Sequence, residues 1–285
     1  MTRTLVVGPG RVGRTLALAH RRAGEEVLLI GRKPGPWQEW AKQHGIAASV
    51  RLADGAQPKP RLVILAVPDR AIAEAAADCA RELPCDGTLL VHVSGMHDVN
   101  VLQAAALEGA FTAAMHPVMQ FTEPERDLGM LAHAIVTITA SPNAREESLK
   151  IAATWGARPV RLKADVDRRR YHLGLALASN HITALLAWAE ELLRPAFGDE
   201  AWSVVDAMAS QAMGAARAHG PAAALTGPIA RGDVATVREH LAGLSEEERH
   251  RYAGLLDVVL NLAVKSERMD ADSVRELRAL AERNR

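Results

Sequence analysis

The residues able to do chemistry in this chain gather in a few short stretches. Gly8-Pro9-Gly10-Arg11-Val12-Gly13 is a complete G-x-G-x-x-G, placed directly after the apolar run Leu5-Val6-Val7 and before a helical pattern. In that arrangement Gly8 makes a tight turn, Gly10 lets backbone approach a pyrophosphate, and Gly13 lets helix and strand pack closely. The helix that follows offers unpaired N–H groups and the positive end of its dipole to the phosphates. About 20 residues on, an NAD site carries Asp or Glu for the ribose 2′-hydroxyl, but here the chain reads Gly31-Arg32-Lys33. Two cations suit a 2′-phosphate, which a guanidinium grips with a fork of N–H donors; a solvated loop is the other reading of the pair. NADP(H) is the expected cofactor. Ala66-Val67-Pro68-Asp69 follows a later strand, where the loop would run beside the nicotinamide half of the cleft, with Asp69 read as a helix cap.

Two further motifs end strands at the same edge: His92-Val93-Ser94-Gly95 and His116-Pro117. Ser94, Gly95 and His116 are candidate substrate contacts there, with a core histidine and a turn serine as the alternative for His92 and Ser94. A longer stretch runs Tyr171-His172 through Ser179-Asn180 to Thr183. At helical spacing His172, Ser179 and Thr183 fall within a narrow arc with Asn180 at its margin. Burying that stripe costs free energy unless its groups pair with each other, water or a ligand. His172 is the ordinary acid–base group on the arc and is the expected proton donor, with Asn180 and Ser94 orienting substrate and Ser179 touching it. Leu225 to Asp233 breaks the helical pattern with Gly227, Pro228 and Gly232. There Asp233 is a cap, and Arg231 binds either a substrate carboxylate or a structural partner. The run Arg168-Arg169-Arg170 reads as a solvated helix start.

These stretches need rigid elements to hold them. Short apolar runs at 5–7, 27–30, 62–67, 88–93 and 111–115 alternate with helical patterns at 12–23 and 71–83, which predicts βαβ units and a buried parallel sheet. Runs at 135–139 and 159–162 are edge additions. After about residue 163 the strand signals stop, and helices are predicted at 165–193, 201–219, 234–242, 247–265 and 271–283. The fold class is therefore α/β plus all-α: a Rossmann-like sheet domain over 1–163, then a helical domain over 164–285.

Composition excludes other classes. The 285 residues carry 34 basic and 34 acidic side chains, and such neutrality argues against a nucleic-acid or anionic-membrane binder. Cys79 and Cys85 are too few for a disulfide framework or a four-thiolate zinc site, and the 11 histidines lack metal-ligand spacing. The start at Met1-Thr2 runs straight into a strand with no signal-peptide pattern, and the apolar stretch 173–189 is interrupted by polar residues. A cytoplasmic protein is expected, with a small-molecule substrate and neither nucleic acid nor membrane as partner.

The order of these motifs, from the glycine fingerprint through Val67-Pro68-Asp69, His92-x-Ser94-Gly95, His116-Pro117 and Tyr171-His172 to Leu225–Asp233, resembles a bacterial family of predicted oxidoreductases. That family joins a Rossmann-like domain to a helical C-terminal domain long catalogued as of unknown function. It is distantly related to ketopantoate reductase and to the 6-phosphogluconate and β-hydroxyacid dehydrogenases. The resemblance implies a helical domain of the 6-phosphogluconate dehydrogenase type, a homodimer through that domain, and NADP(H)-dependent reduction of a small 2-oxo acid, with ketopantoate as the leading substrate. The relatives use a helix lysine for proton transfer, and none lies between Tyr171 and Leu193. That departure leaves two alternatives open: a non-catalytic dinucleotide sensor or scaffold, or a reductase of another class such as an imine or a deazaflavin.

Overall fold

The computed structural model describes residues 3–163, 165–266 and 268–285. Met1, Thr2 and Ala164 (where the second domain was expected to begin) lie outside the described residues. By compactness the chain divides into two units, Met1–Ile182 and Thr183–Arg285.

The first unit is built on eight strands: β1 (Arg3–Val7), β2 (Glu26–Ile30), β3 (Ala47–Ser49), β4 (Leu62–Leu65), β5 (Leu89–His92), β6 (Phe111–Val118), β7 (Ile135–Ala140) and β8 (Arg158–Arg161). Between them run α1 (Arg11–Arg22), α2 (Pro36–Gln43), α3 (Ile72–Glu82), α4 (Gln103–Leu107), α5 (Pro124–Leu131) and α6 (Arg145–Thr154). The sheet order is β3-β2-β1-β4-β5-β6-β7-β8. Winding therefore reverses between β1 and β4, the position at which open α/β sheets bind ligands beyond their carboxyl ends.

The near-continuous apolar character of the strands has a simple cause. Val6, Leu29, Ile64 and Val91 enter one core with Leu16 of α1 and Leu131 of α5. Their neighbours Leu5, Leu28, Val63 and Leu90 enter a second core with Ile72 and Ala76 of α3. Helices cover both faces, so period-two alternation is absent and each strand is apolar throughout. The two edge additions differ in direction: β7 runs antiparallel to β6, with His116 opposite Thr137, while β8 is parallel to β7. An apolar run such as Ile135-Val136-Thr137-Ile138 carries no directional signal, because direction is decided by the connection that precedes it.

From Arg168 the chain is helical: α7 (Arg168–Ala176), a π-helical turn (Leu177–His181) and α8 (Ile182–Phe197). The second unit continues with α9 (Ala201–His219), α10 (Pro221–Ala224), α11 (Val234–Ala242), α12 (Glu246–Val264) and α13 (Ala271–Arg283). Val237, Leu241, Leu256, Leu260 and Leu277 form the core of the last three helices. Their starts are capped: Asp233 accepts from the Thr236 N–H, as the sequence predicts, and the structure adds Asp270, which accepts from the Ser273 N–H, and a capping box closed by Ser245 with Glu248. Gly232 sits at φ +69°, where a Cβ would also lie 2.9 Å from the Ser273 side chain. Among the described residues no helix is long and apolar enough to cross a membrane.

Candidate active site

The glycine loop follows β1 at the switch point. Gly8 has φ +109°, and a Cβ there would drive into the Ala66 carbonyl. The Gly8 N–H donates to the Ile30 carbonyl at 2.8 Å, which ties the loop to the end of β2. A Cβ on Gly13 would collide with the Gly8 carbonyl and reach within 3.3 Å of the Ala66 Cβ, so only glycine lets α1 start this close to the strand. Gly10 differs: its open side meets no atom within 4 Å. It is also the N-cap of α1 and makes no side-chain cap, and no acidic residue occupies the first turn. The helix N-terminus is thus free of competing oxygens, a backbone cradle that fits a pyrophosphate.

The other residues expected around this loop are nearby in the fold. Arg11 is exposed at the first position of α1, and Val12 packs against the sheet core. The Pro9 ring stands so near Gly31 that a Cβ there would lie 3.0 Å from it. The Ala66 N–H donates to the Val7 carbonyl at 2.8 Å, which carries the β1–β4 pairing into the Ala66-Val67-Pro68 loop. Arg32 and Lys33 are both exposed beyond β2. Arg32 pairs with Glu74 of α3 at 2.5 Å, both side chains being mostly in water (77% and 59%). A pair so exposed is worth at most about 1 kcal/mol, so a phosphate can displace the carboxylate.

Farther along the same unit lies a cavity of about 590 Å³ walled by His116, Gln120, Thr122, His172, Ser179 and Asn180 together with apolar side chains. Its walls come from the end of β6, the loop after it, and α7 with the π turn. The loop is held by Asp127 of α5, which is fully buried and accepts from the N–H groups of Thr122 (2.7 Å) and Glu123 (3.0 Å). The helical arc predicted at regular spacing is changed by the π turn. Its wider i→i+5 winding re-phases the side chains after Leu177, and both Ser179 and Asn180 line the cavity with His172. Thr183 does not line it and starts the second unit. The Ser179 hydroxyl donates to the Leu175 carbonyl at 2.8 Å.

The structure adds a group that the sequence reading left unassigned. The Tyr171 hydroxyl lies 2.9 Å from His116 Nδ1 and 3.1 Å from the Thr137 hydroxyl, with the two rings edge to face. Arg168, one turn earlier on α7, places its guanidinium 5.9 Å from the centre of the Tyr171 ring. The reading of Arg168 as a solvated helix start is therefore corrected. Its side chain is only 8% exposed, it donates to Thr139 at 2.5 Å and it lies 3.8 Å from Asp98; Arg169 and Arg170 do face water. Burial pushes the His116 pKa down to about 4, helped by the charges of His172 and Arg168, so the ring is neutral at physiological pH. Burial raises the Tyr171 pKa, opposed by the Thr137 hydroxyl and the Arg168 charge. Tyr171 stands 55 residues from His116 in sequence, so spacing alone could not pair them.

The remaining candidates serve the frame. His92 is fully buried, with Nε2 3.2 Å from the Asp98 carbonyl and Nδ1 accepting from the Ser94 N–H at 3.2 Å. Burial holds its pKa at about 4. The Ser94 hydroxyl oxygen accepts from the N–H groups of Met96 (3.0 Å) and His97 (3.3 Å), forming a turn. Neither Ser94 nor Gly95 lines the cavity. Gly95 lies directly under the His116 ring, where a Cβ would fall 2.9 Å from Cε1. Asp69 makes no cap, contrary to expectation; it begins a 3₁₀ turn, and its charge acts on His92 and His116. Arg231 is exposed in the second unit, where its charge adds to the Thr236 hydrogen bonds that hold Asp233 below the usual carboxylate range.

Solved structures share this architecture. A Bacteroides fragilis protein provisionally described as an NADP oxidoreductase superposes with a TM-score of 0.74 at 22% identity, over 94% of this chain and 98% of its own. A pyrroline-5-carboxylate reductase from Coxiella burnetii gives 0.60 at 10% identity over 98% of each chain. A reductive aminase from Aspergillus terreus, solved with NADPH and ethyl-5-oxohexanoate, gives 0.61 at 17% identity over 99% of this chain and 93% of its own. At such identities the likeness shows the fold. No curated protein matches the sequence. Residues 3–117 match the model of a Rossmann-like domain and residues 134–257 that of a domain of unknown function, DUF2520. The chain thus joins a Rossmann-like domain to a C-terminal DUF2520 domain.

Proposed function

We propose that this protein is an NADP(H)-dependent reductase of a C=O or C=N bond in a small molecule, a 2-oxo acid such as ketopantoate being the leading substrate. The observation that carries the reading is the open backbone cradle at Gly10, followed by Arg32 and Lys33 where the adenosine ribose of a bound dinucleotide would end. Gly8 to Gly13 hold the pyrophosphate, Arg32 and Lys33 the 2′-phosphate, and Ala66-Val67-Pro68 flank the nicotinamide. Bound there, the cofactor supplies a hydride to the electrophilic carbon of the substrate. His172 and His116 are the ionisable groups on the cavity wall that can move the matching proton, and Asn180 and Ser179 orient the substrate by hydrogen bonds.

Reduction of an imine is the second reading. Two of the superposed structures are described as a pyrroline-5-carboxylate reductase and a reductive aminase, and no lysine, arginine or carboxylate lines the cavity. NADPH consumption with ketopantoate, with pyrroline-5-carboxylate, and with a ketone plus an amine separates the readings. Binding without consumption in all three would favour a sensor.

The protein acts as a homodimer in a reducing, cytoplasmic setting. Cys79 and Cys85 are both free and buried. None of the 16 residues of α8 is buried, and Leu185, Leu192, Phe197, Trp202 and Met208 are 39–61% exposed. Large apolar side chains left exposed in this number are a surface for a second copy.

A further inference from the structure

The geometry points to a proton relay in which His116 gives its Nε2 proton to the substrate while Nδ1 takes one from the Tyr171 hydroxyl. The inference rests on the reductase reading above and names the route of its proton.

The His116 ring is fixed on two sides. Gly95 lies under it, so close that any Cβ would fall 2.9–3.1 Å from Cε1, Nδ1 and Nε2. Tyr171 meets it edge to face with ring centres 5.9 Å apart. Nδ1 is engaged by the Tyr171 hydroxyl at 2.9 Å. Nε2 has no protein partner among the described residues, and the residue lines the cavity. One nitrogen therefore faces a partner inside the protein, while the other is available to a substrate.

His116 enters the step as a neutral ring, because burial and the nearby charges of His172 and Arg168, opposed by Asp69, bring its pKa down to about 4. A neutral ring that simply lost its Nε2 proton would become an imidazolate, a very unfavourable product. Resupply at Nδ1 removes that obstacle, as in any His whose second nitrogen is coupled to another titratable group. Tyr171 is placed for the task. Once its hydroxyl gives up the proton, the oxygen accepts from the Thr137 hydroxyl, 3.1 Å away. Arg168 lies against the ring as a cation 92% withdrawn from water, with Nη1 lacking any hydrogen-bond partner. Burial raises the Tyr171 pKa, and the Thr137 hydroxyl and this buried, incompletely neutralised guanidinium both act against that rise and toward a phenolate.

Hydride arrival forms a C–H bond and breaks the C=O or C=N π bond, leaving the electron pair on the heteroatom. The heteroatom takes the His116 Nε2 proton, the Tyr171 O–H bond breaks, and a new N–H bond forms at Nδ1. After product leaves, the phenolate recovers the Nδ1 proton and Nε2 takes one from water. NADPH is the only reductant required.

Imidazole nitrogen NMR reads the relay without turnover. In the wild type the His116 signal, assigned by its loss in His116→Gln, is expected as the neutral Nε2–H tautomer; Tyr171→Phe is expected to mix the tautomers. The chain has two tyrosines, so in a Tyr252→Phe background tyrosinate absorbance reports Tyr171 alone, and Thr137→Val is expected to move its ionisation to higher pH. With whichever probe substrate the wild type reduces, Tyr171→Phe should lower kcat by about 100-fold or more while NADPH affinity and KM stay near wild type. An unchanged tautomer, or wild-type kcat in Tyr171→Phe, overturns the relay while leaving the reductase reading intact. A wild type that binds no NADPH overturns that reading, and the relay with it.

Discussion

Strand β5 and helix α8 are both strongly apolar, yet all four residues of β5 are buried and none of the 16 residues of α8 is. Apolarity tells how much surface must leave water, and topology tells what covers it. β5 lies between β4 and β6 with helices on both faces, so its cover is supplied within the chain. For α8 the proposed cover is a second copy. The two regions should therefore respond differently to the same kind of substitution.

The largest effect is expected in the sheet. Leu90→Ala removes a side chain that is 1% exposed at the heart of the second core. Thermal or denaturant unfolding should show a loss of about 2–5 kcal/mol, independent of protein concentration. On α8 a charge makes the sharper probe. Leu192→Glu should leave the far-ultraviolet circular dichroism unchanged but shift sedimentation from dimer to monomer. A wild type that is already monomeric at micromolar concentration breaks the comparison, since α8 would then face water. A smaller effect belongs to Glu25 after α1. Burial pushes its carboxyl up, but hydrogen bonds from His20 and Thr4 and the charges of His20 and Arg61 outweigh this and bring the pKa to about 2 from 4.5. A carboxylate depressed in the folded state contributes stability above its ordinary value, and that contribution fades as pH falls toward 2. Glu25→Gln should thus flatten the stability profile across that window, with a loss of roughly 1–3 kcal/mol at neutral pH. An unchanged slope would mean that the His20 network does not hold the carboxylate.

The contrast also explains what could be read from the sequence. The strands of the first unit and most helices of the second were legible because their apolar runs and caps are local signals. The elements α2, β3, α4, α5, α6 and α10 went unpredicted; α6 exposes five of its ten residues and β3 is only three residues long. The direction of β7 was hidden for the reason already given. The glycine loop was legible because each glycine answers a steric demand made by residues close in sequence or on the adjoining strand. The His116–Tyr171 contact was not, because it depends on β6 overrunning β5 and on where α7 begins. Nor was the role of Arg168, since a run of three arginines looks uniform until the fold buries its first member. The π turn was likewise invisible, although it decides that Asn180 faces the same cavity as Ser179.

The central claim is that the loop at Gly8–Gly13 holds NADP(H), with Arg32 and Lys33 on its 2′-phosphate. The direct test is calorimetric titration of the wild type and of Arg32→Ala with NADPH and with NADH. Saturable binding is predicted, with NADPH the tighter ligand, and Arg32→Ala should weaken NADPH by about tenfold, worth ~1.4 kcal/mol, while leaving NADH nearly unchanged. Absence of heat with either coenzyme, or equal weakening of both, would contradict the account.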